Sequence, residues 1–197
     1  MKQLKTACIV LGVLSLLLGV IYPLAVTGIA QICFPFRANG SIIEKSEGRS
    51  SNDELPIGSA LIGQAFTSAR YFHGRPSDCG YDGAGSSSSN LGPSNPALVD
   101  LARQRVDSLK RENGLDSLTG IPADLVLSSA SGLDPDISVD AALLQIGRVA
   151  RERSLEPVQV RSLVLRNIEP PFLGMFALAR LNVLKLNLAL DSISAGK

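Results

Sequence analysis

ACIVLGVLSLLLGVIYPLAVTGIA, residues 7–30, decides how this chain is built. A helix over those residues is roughly 36 Å long at about 1.5 Å per residue. That spans a hydrocarbon core of about 30 Å with some tilt to spare. No Lys, Arg, Asp, Glu or His occurs from Thr6 through Phe36, and everything after Phe36 has the composition of a water-soluble domain. The stretch therefore reads as a single membrane anchor ahead of one soluble domain.

A cleaved signal peptide is the alternative. Lys2 and Lys5 make a charged start, and Gly28-Ile29-Ala30 is an acceptable small-x-small site. The apolar run exceeds a signal's apolar region of roughly 7–15 residues, so the anchor reads as uncleaved. Gln31 and Ile32 before Cys33 do not make a lipobox. Charge leaves orientation open: Lys2 and Lys5 precede the helix, and Arg37, Lys45 and Arg49 follow it closely.

The chain has 197 residues, with 19 Lys and Arg against 18 Asp and Glu. The soluble part is long enough for one core of its own. Balanced charge and the absence of Trp argue against nucleic acid as a partner. Three cysteines, Cys8, Cys33 and Cys79, show no zinc-binding spacing. Outside the cytoplasm Cys33–Cys79 is the one plausible pairing, and isolated thiols are the simpler reading.

Residues 31–54 read as a connector, with Asn39-Gly40 as a turn and a chance-level glycosylation sequon at Asn39. Residues 55–197 form the domain. Within it, 58–64 is a weak strand candidate, and 74–96 is loop by composition, the kind of long loop that is usually functional or disordered. Asn95 caps a helix that opens at Pro96, carries Leu98, Leu101, Ala102, Val106 and Leu109 on one face, and stops at Gly114. Leu125-Val126-Leu127 reads as a short strand. Ser138 caps a second helix to about Arg153, with Val139, Ala142, Leu143, Ile146 and Ala150 on one face. Pro157 opens a third helix that buries Val160, Leu163 and Val164 and ends by Pro170-Pro171. Leu184, Leu186, Leu188 and Leu190 alternate with Lys185, Asn187, Ala189 and Asp191, which predicts a half-buried strand. The fold class is α+β with few strands and no internal repeat.

Chemistry is sparse. His73 is the one histidine, so a Ser-His-Asp set would have to join it to a serine of 86–89 and to Asp78 or Asp82. No G-x-S-x-G elbow exists. No phosphate-binding GxxxxGK[ST] exists either, and Gly83-Ala84-Gly85-Ser86 is a lone Gly-rich turn. Asp134 and Asp136 read as helix-capping carboxylates rather than metal ligands. The residues alone point to an accessory or interaction subunit of a membrane complex. The alternative is a membrane-tethered extracytoplasmic hydrolase using His73.

Several strings are more specific: GSALIGQ at 58–64, YFHGRPS at 71–77, SNLGPSNP at 89–96, IPADLV at 121–126, SGLDP at 131–135 and NVLKLNLALD at 182–191. With Tyr22-Pro23, Phe34-Pro35 and ANGS at 38–41, the chain closely resembles the C subunit of the bacterial high-affinity potassium-transporting P-type ATPase, the Kdp system. The resemblance implies a cytoplasmic tail at 1–6, a transmembrane helix at 7–30 and an extracytoplasmic domain, in the bacterial cytoplasmic (inner) membrane. It implies a non-catalytic subunit needed for assembly and activity. Its partners would be a channel-like potassium-translocating subunit, a P-type ATPase subunit that holds ATP and Mg, a small hydrophobic subunit and the lipid bilayer. The family is also described as a catalytic chaperone raising the ATP affinity of the ATPase subunit. Ser87 and Ser88 stand where the family usually has glycines, which speaks against close backbone approach to a phosphate. The wording at 167–171 and 176–180 also departs from the family.

Two loops carry specific residues and are expected to dock on the channel-like subunit: Tyr71, Phe72, His73, Arg75 and Pro76 in one, Ser89, Asn90, Pro93 and Asn95 in the other. The alternative is that Tyr71 and Phe72 fill the small core and that Pro93 and Asn95 only start a helix. Gly12 and Gly19 would let the anchor pack closely on partner helices.

Overall fold

The structure is a computed structural model that describes residues 1–45, 55–171, 174 and 178–194. It divides into two compact units, Met1–Ile57 and Gly58–Lys197.

The first unit is dominated by one continuous helix, Lys2–Cys33, long and apolar enough to cross a membrane. It comprises α1 (Lys2–Leu16), a π-helical turn (Leu17–Ile21) and α2 (Tyr22–Cys33). Pro23 explains the wider turn: it has no N–H for the carbonyl of Gly19, and its ring crowds that carbonyl. A short α3 (Pro35–Ala38) leads to the expected turn, where Gly40 takes φ +81°. β1 (Ile42–Lys45) then pairs with β2 (Leu55–Ser59). The strand expected at 58–64 thus lies earlier, and the chain turns away after Ser59, whose Oγ accepts the Leu61 N–H at 3.1 Å.

The second unit is mainly helical. Its elements are α4 (Pro96–Asn113), α5 (Ala123–Val126), β3 (Asp136–Ser138), α6 (Val139–Arg153), α7 (Pro157–Arg166), β4 (Arg180–Asn182) and α8 (Val183–Ser194). α6 packs on α7, α4 on α6, and α8 on α7 and β4. β3 and β4 are antiparallel, with Ile137 opposite Leu181. Phe72, Ile137, Val149, Val160, Val164, Leu181, Leu186 and Leu190 make the dry centre.

Three helices form where the sequence places them. Asn95 accepts the Ala97 N–H at 3.0 Å to start α4, and Gly114 ends it at φ +63°. Ser138 accepts the Ala141 N–H at 3.1 Å to start α6. A reciprocal bond pair between Glu156 and Gln159 starts α7. It ends at Arg166, ahead of the prolines.

Two expected strands are helices. Leu125-Val126 lies in the single turn α5 rather than in a strand, with both side chains buried. The Leu184–Leu190 alternation is α8. Val183, Leu186, Asn187 and Leu190 are all buried there, which is the i, i+3, i+4, i+7 face of a helix. The leucine alternation hides that face because it sets Asn187 on the solvent side. Residues 184–191 also contain no β-branched side chain, which favours helix. Asp134 and Asp136 do not cap α6. Asp134 accepts the Asp136 N–H at 3.0 Å, and Asp136 pairs with Arg180 at 2.9 Å.

Candidate functional site

The segment 69–76 runs without regular structure through the second unit, so its backbone groups need partners from elsewhere. Side-chain amides supply them. Phe72 donates its N–H to Asn187 Oδ1 at 2.9 Å, and Asn187 Nδ2 donates to the Phe72 carbonyl at 3.0 Å. His73 repeats the arrangement with Gln145, at 2.8 Å for its N–H and 3.1 Å for its carbonyl. Two helices, α8 and α6, thus bind the backbone N–H and C=O of two consecutive residues, each amide pairing as a strand neighbour would. The Phe72 ring is wholly buried and anchors the segment in the core.

Arg148, on α6 and fully buried, completes the clamp. Its Nη1 donates to the carbonyls of Ala69 and Tyr71, its Nε to Asn113 at 3.0 Å and its Nη2 to Gln145 at 2.6 Å. A buried cation needs a counter-charge, and Glu112 of α4 provides it at 3.7 Å. Burial first, with Glu112 opposing, moves the Arg148 guanidinium below its ordinary value. The His73 ring lies beside this group: Nδ1 is 3.5 Å from Glu112, Nε2 is 3.2 Å from the Ser68 carbonyl and 3.4 Å from Arg148 Nη1. Burial and the Arg148 charge lower the His73 pKa, while Glu112 raises it. Tyr71 sits half-buried under Arg153, whose guanidinium is 4.7 Å from the ring centre, and its hydroxyl donates to Asp191 at 3.2 Å.

Further along, Arg75 pairs with Asp134 at 2.8 Å, and Tyr81 donates its hydroxyl to the Arg75 carbonyl. Burial and Asp134 raise the Tyr81 pKa. The Pro76 carbonyl accepts the Ser129 N–H at 3.4 Å. Ser77 donates to the Gly132 carbonyl at 2.6 Å. Gly132 has φ +68°, and a Cβ there would lie 2.5 Å from Cys79 Sγ and 2.7 Å from the Ser87 carbonyl. Only glycine lets the 77–89 and 128–134 loops close on each other so tightly.

Asp78 joins the two loops that the sequence singled out. One carboxylate oxygen accepts the Ser89 N–H at 2.9 Å, and the other lies 3.4 Å from Arg105 of α4. Asn90 follows, exposed, with φ +53° and its amide donating to the Ser88 carbonyl. Pro93 is exposed, and Asn95 is committed to capping α4. Arg75 and Pro76 are partly exposed. The two loops therefore form one tied surface, in which Phe72 and Asn95 are structural and Arg75 already has a counter-ion. Gly12 and Gly19 lie on the apolar helix, where a Cβ would meet nothing within 4 Å.

Four backbone N–H groups in and after the Gly-rich turn donate within the fold. Ala84 and Gly85 donate to Asp82, Ser87 to the Ser131 carbonyl and Ser89 to Asp78. Among the described contacts of the His73 ring are the Ser68 carbonyl, Arg148 and Glu112, and no serine hydroxyl.

The family model for K+-transporting ATPase c chains, KdpC, matches residues 4–192. The chain belongs to the KdpC family. It is 49% identical over 193 residues to a protein of Polaromonas naphthalenivorans named potassium-transporting ATPase KdpC subunit, covering 96% of this chain and 94% of that one. A protein of the same name from Gemmatimonas aurantiaca is 48% identical over 198 residues, covering 99% and 95%. One from Janthinobacterium sp. is 45% identical over 190 residues, covering 95% and 96%. The clamped segment includes YFHGRPS, and Asn187 and Asp134 fall in the strings NVLKLNLALD and SGLDP that carried the resemblance. Gln145, Arg148 and Asp78 fall in none of them. The signal for the first two was a pair of polar residues three apart on the core face of an amphipathic helix.

Proposed function

We propose that the chain is a non-catalytic accessory subunit of a potassium-transporting P-type ATPase complex in the bacterial inner membrane. The helix Lys2–Cys33 anchors it once, with its amino terminus in the cytoplasm and the second unit outside. The tied loops 71–77 and 89–95 dock that unit on the channel-like subunit near the potassium entrance, and the anchor packs on partner helices through Gly12 and Gly19. ATP, Mg2+ and the phosphorylated aspartate belong to the ATPase subunit. Any effect of this chain on nucleotide affinity is transmitted through the partners, because the extracytoplasmic domain and the cytosolic nucleotide lie on opposite sides of the bilayer.

The observation that carries this reading is the family match along residues 4–192, which includes both the anchor and the clamped segment. The test is co-purification and potassium-stimulated ATPase of the assembled complex with Arg75→Glu, with Pro93→Arg as a surface change that breaks no described internal contact. Loss of assembly in both variants is expected. Unchanged assembly and activity in both would remove the loops as the docking surface.

A further inference from the structure

The chain's single histidine stands between opposite charges at the centre of the clamp, and this has a consequence for how the complex answers acid. Arg148 Nη1 holds the carbonyls of Ala69 and Tyr71, and the same nitrogen faces His73 Nε2 at 3.4 Å. The histidine's own peptide is fixed by Gln145, which Arg148 in turn holds at 2.6 Å. Any displacement of the ring away from Arg148 therefore pulls on the peptides that keep 69–76 in place.

We propose that His73 is a proton-operated latch: protonating it loosens the docking segment and weakens engagement of the partner in acidic surroundings. This rests on the docking reading above. Protonated, His73 would donate to the Ser68 carbonyl and to Glu112, yet would set a second full cation beside a guanidinium that has no solvent exposure to screen it. The charged groups that act on the pair are Glu112 on α4 and Arg151 and Glu152 on α6, while Arg153 on α6 and Asp191 on α8 pair with each other at Tyr71. Of these only Glu112 lies within 4 Å of the imidazole, so one carboxylate serves two cations once the ring is charged.

The sign follows from the lowered histidine pKa. The loosened state binds a proton more readily than the clamped one. The clamp is thus fully formed above the ordinary histidine value of about 6.5 and is lost as pH falls through the lowered one. Replacing Glu112 by Gln removes the group that raises the histidine and should move the transition to lower pH. Replacing His73 by Gln should abolish it.

Amide hydrogen exchange of the full-length chain in detergent, between pH 5 and 8, reads the latch at the Phe72 and His73 amides. After correction for intrinsic rates, protection of both should fall at least tenfold at the acid end, with no fall in His73→Gln and a downward-shifted midpoint in Glu112→Gln. Protection that stays constant in the native chain, or that falls equally in His73→Gln, overturns the proposal. The assembled complex, assayed for potassium-stimulated ATPase against extracytoplasmic pH, should show a steeper acid decline than the His73→Gln complex. A latch that opens while the two complexes decline in parallel would instead overturn the docking role of the segment.

Discussion

Asn187 holds both backbone polar groups of Phe72 across 115 residues of chain, at 2.9 Å and 3.0 Å. An amide side chain carries a donor and an acceptor on one plane, so it presents the same pair that a β-strand neighbour would. Here the device gives the backbone groups of a buried residue in an irregular segment their partners. Gln145 extends it by one residue and links it to the buried Arg148.

Asn187→Ala leaves two buried peptide groups unpaired, each costing about 1–3 kcal/mol. The full-length chain in detergent should lose about 2–4 kcal/mol in denaturant unfolding, whereas Ser192→Ala at an exposed position of the same helix should cost little. Equal behaviour of the two would contradict the clamp.

Gly132→Ala combines an unfavourable positive φ with contacts too short to survive at Cys79 and Ser87. A loss of roughly 1–3 kcal/mol is expected, with faster proteolysis within 77–89. Gly80→Ala, also at positive φ but with open space around its Cβ position, separates the two effects and should cost less.

ATP titrated calorimetrically into the full-length chain should give no tight binding, because the N–H groups of Ala84, Gly85, Ser87 and Ser89 already donate within the fold. A dissociation constant in the low micromolar range, on the order of −8 kcal/mol, would show that the loop rearranges to take nucleotide.

Intact-mass spectrometry of membrane-extracted protein should find the apolar helix retained. A mature chain beginning at Gln31 would convert the anchor into a signal peptide and remove Gly12 and Gly19 from any packing role.

The sequence revealed what local physics controls. Asn95 and Gly114 bracket α4, Ser138 starts α6 and Pro157 opens α7, since caps and proline act on their immediate neighbours. It misled where burial of a polar side chain reversed the pattern. Asn187 fits the wet face of a strand, and that pattern masks α8. Gln145 and Arg148 are buried on α6, where core positions are ordinarily apolar. Asp134 reads as a helix-end carboxylate, yet its counter-charge Arg75 lies 59 residues away, a relationship that spacing along the chain does not encode. The strings YFHGRPS, SGLDP and NVLKLNLALD nonetheless marked three of the segments that meet at the site.

The central claim is that the loops 71–77 and 89–95 face the channel-like subunit. Site-specific photo-crosslinking in the assembled complex tests it most directly, with the crosslinking amino acid in place of Pro93 and, as a control, in place of the exposed Leu118. A crosslink to an extracytoplasmic loop of the channel-like subunit from position 93, absent from position 118, is the expected result. No product from position 93 in a complex that assembles and hydrolyses ATP normally would contradict it.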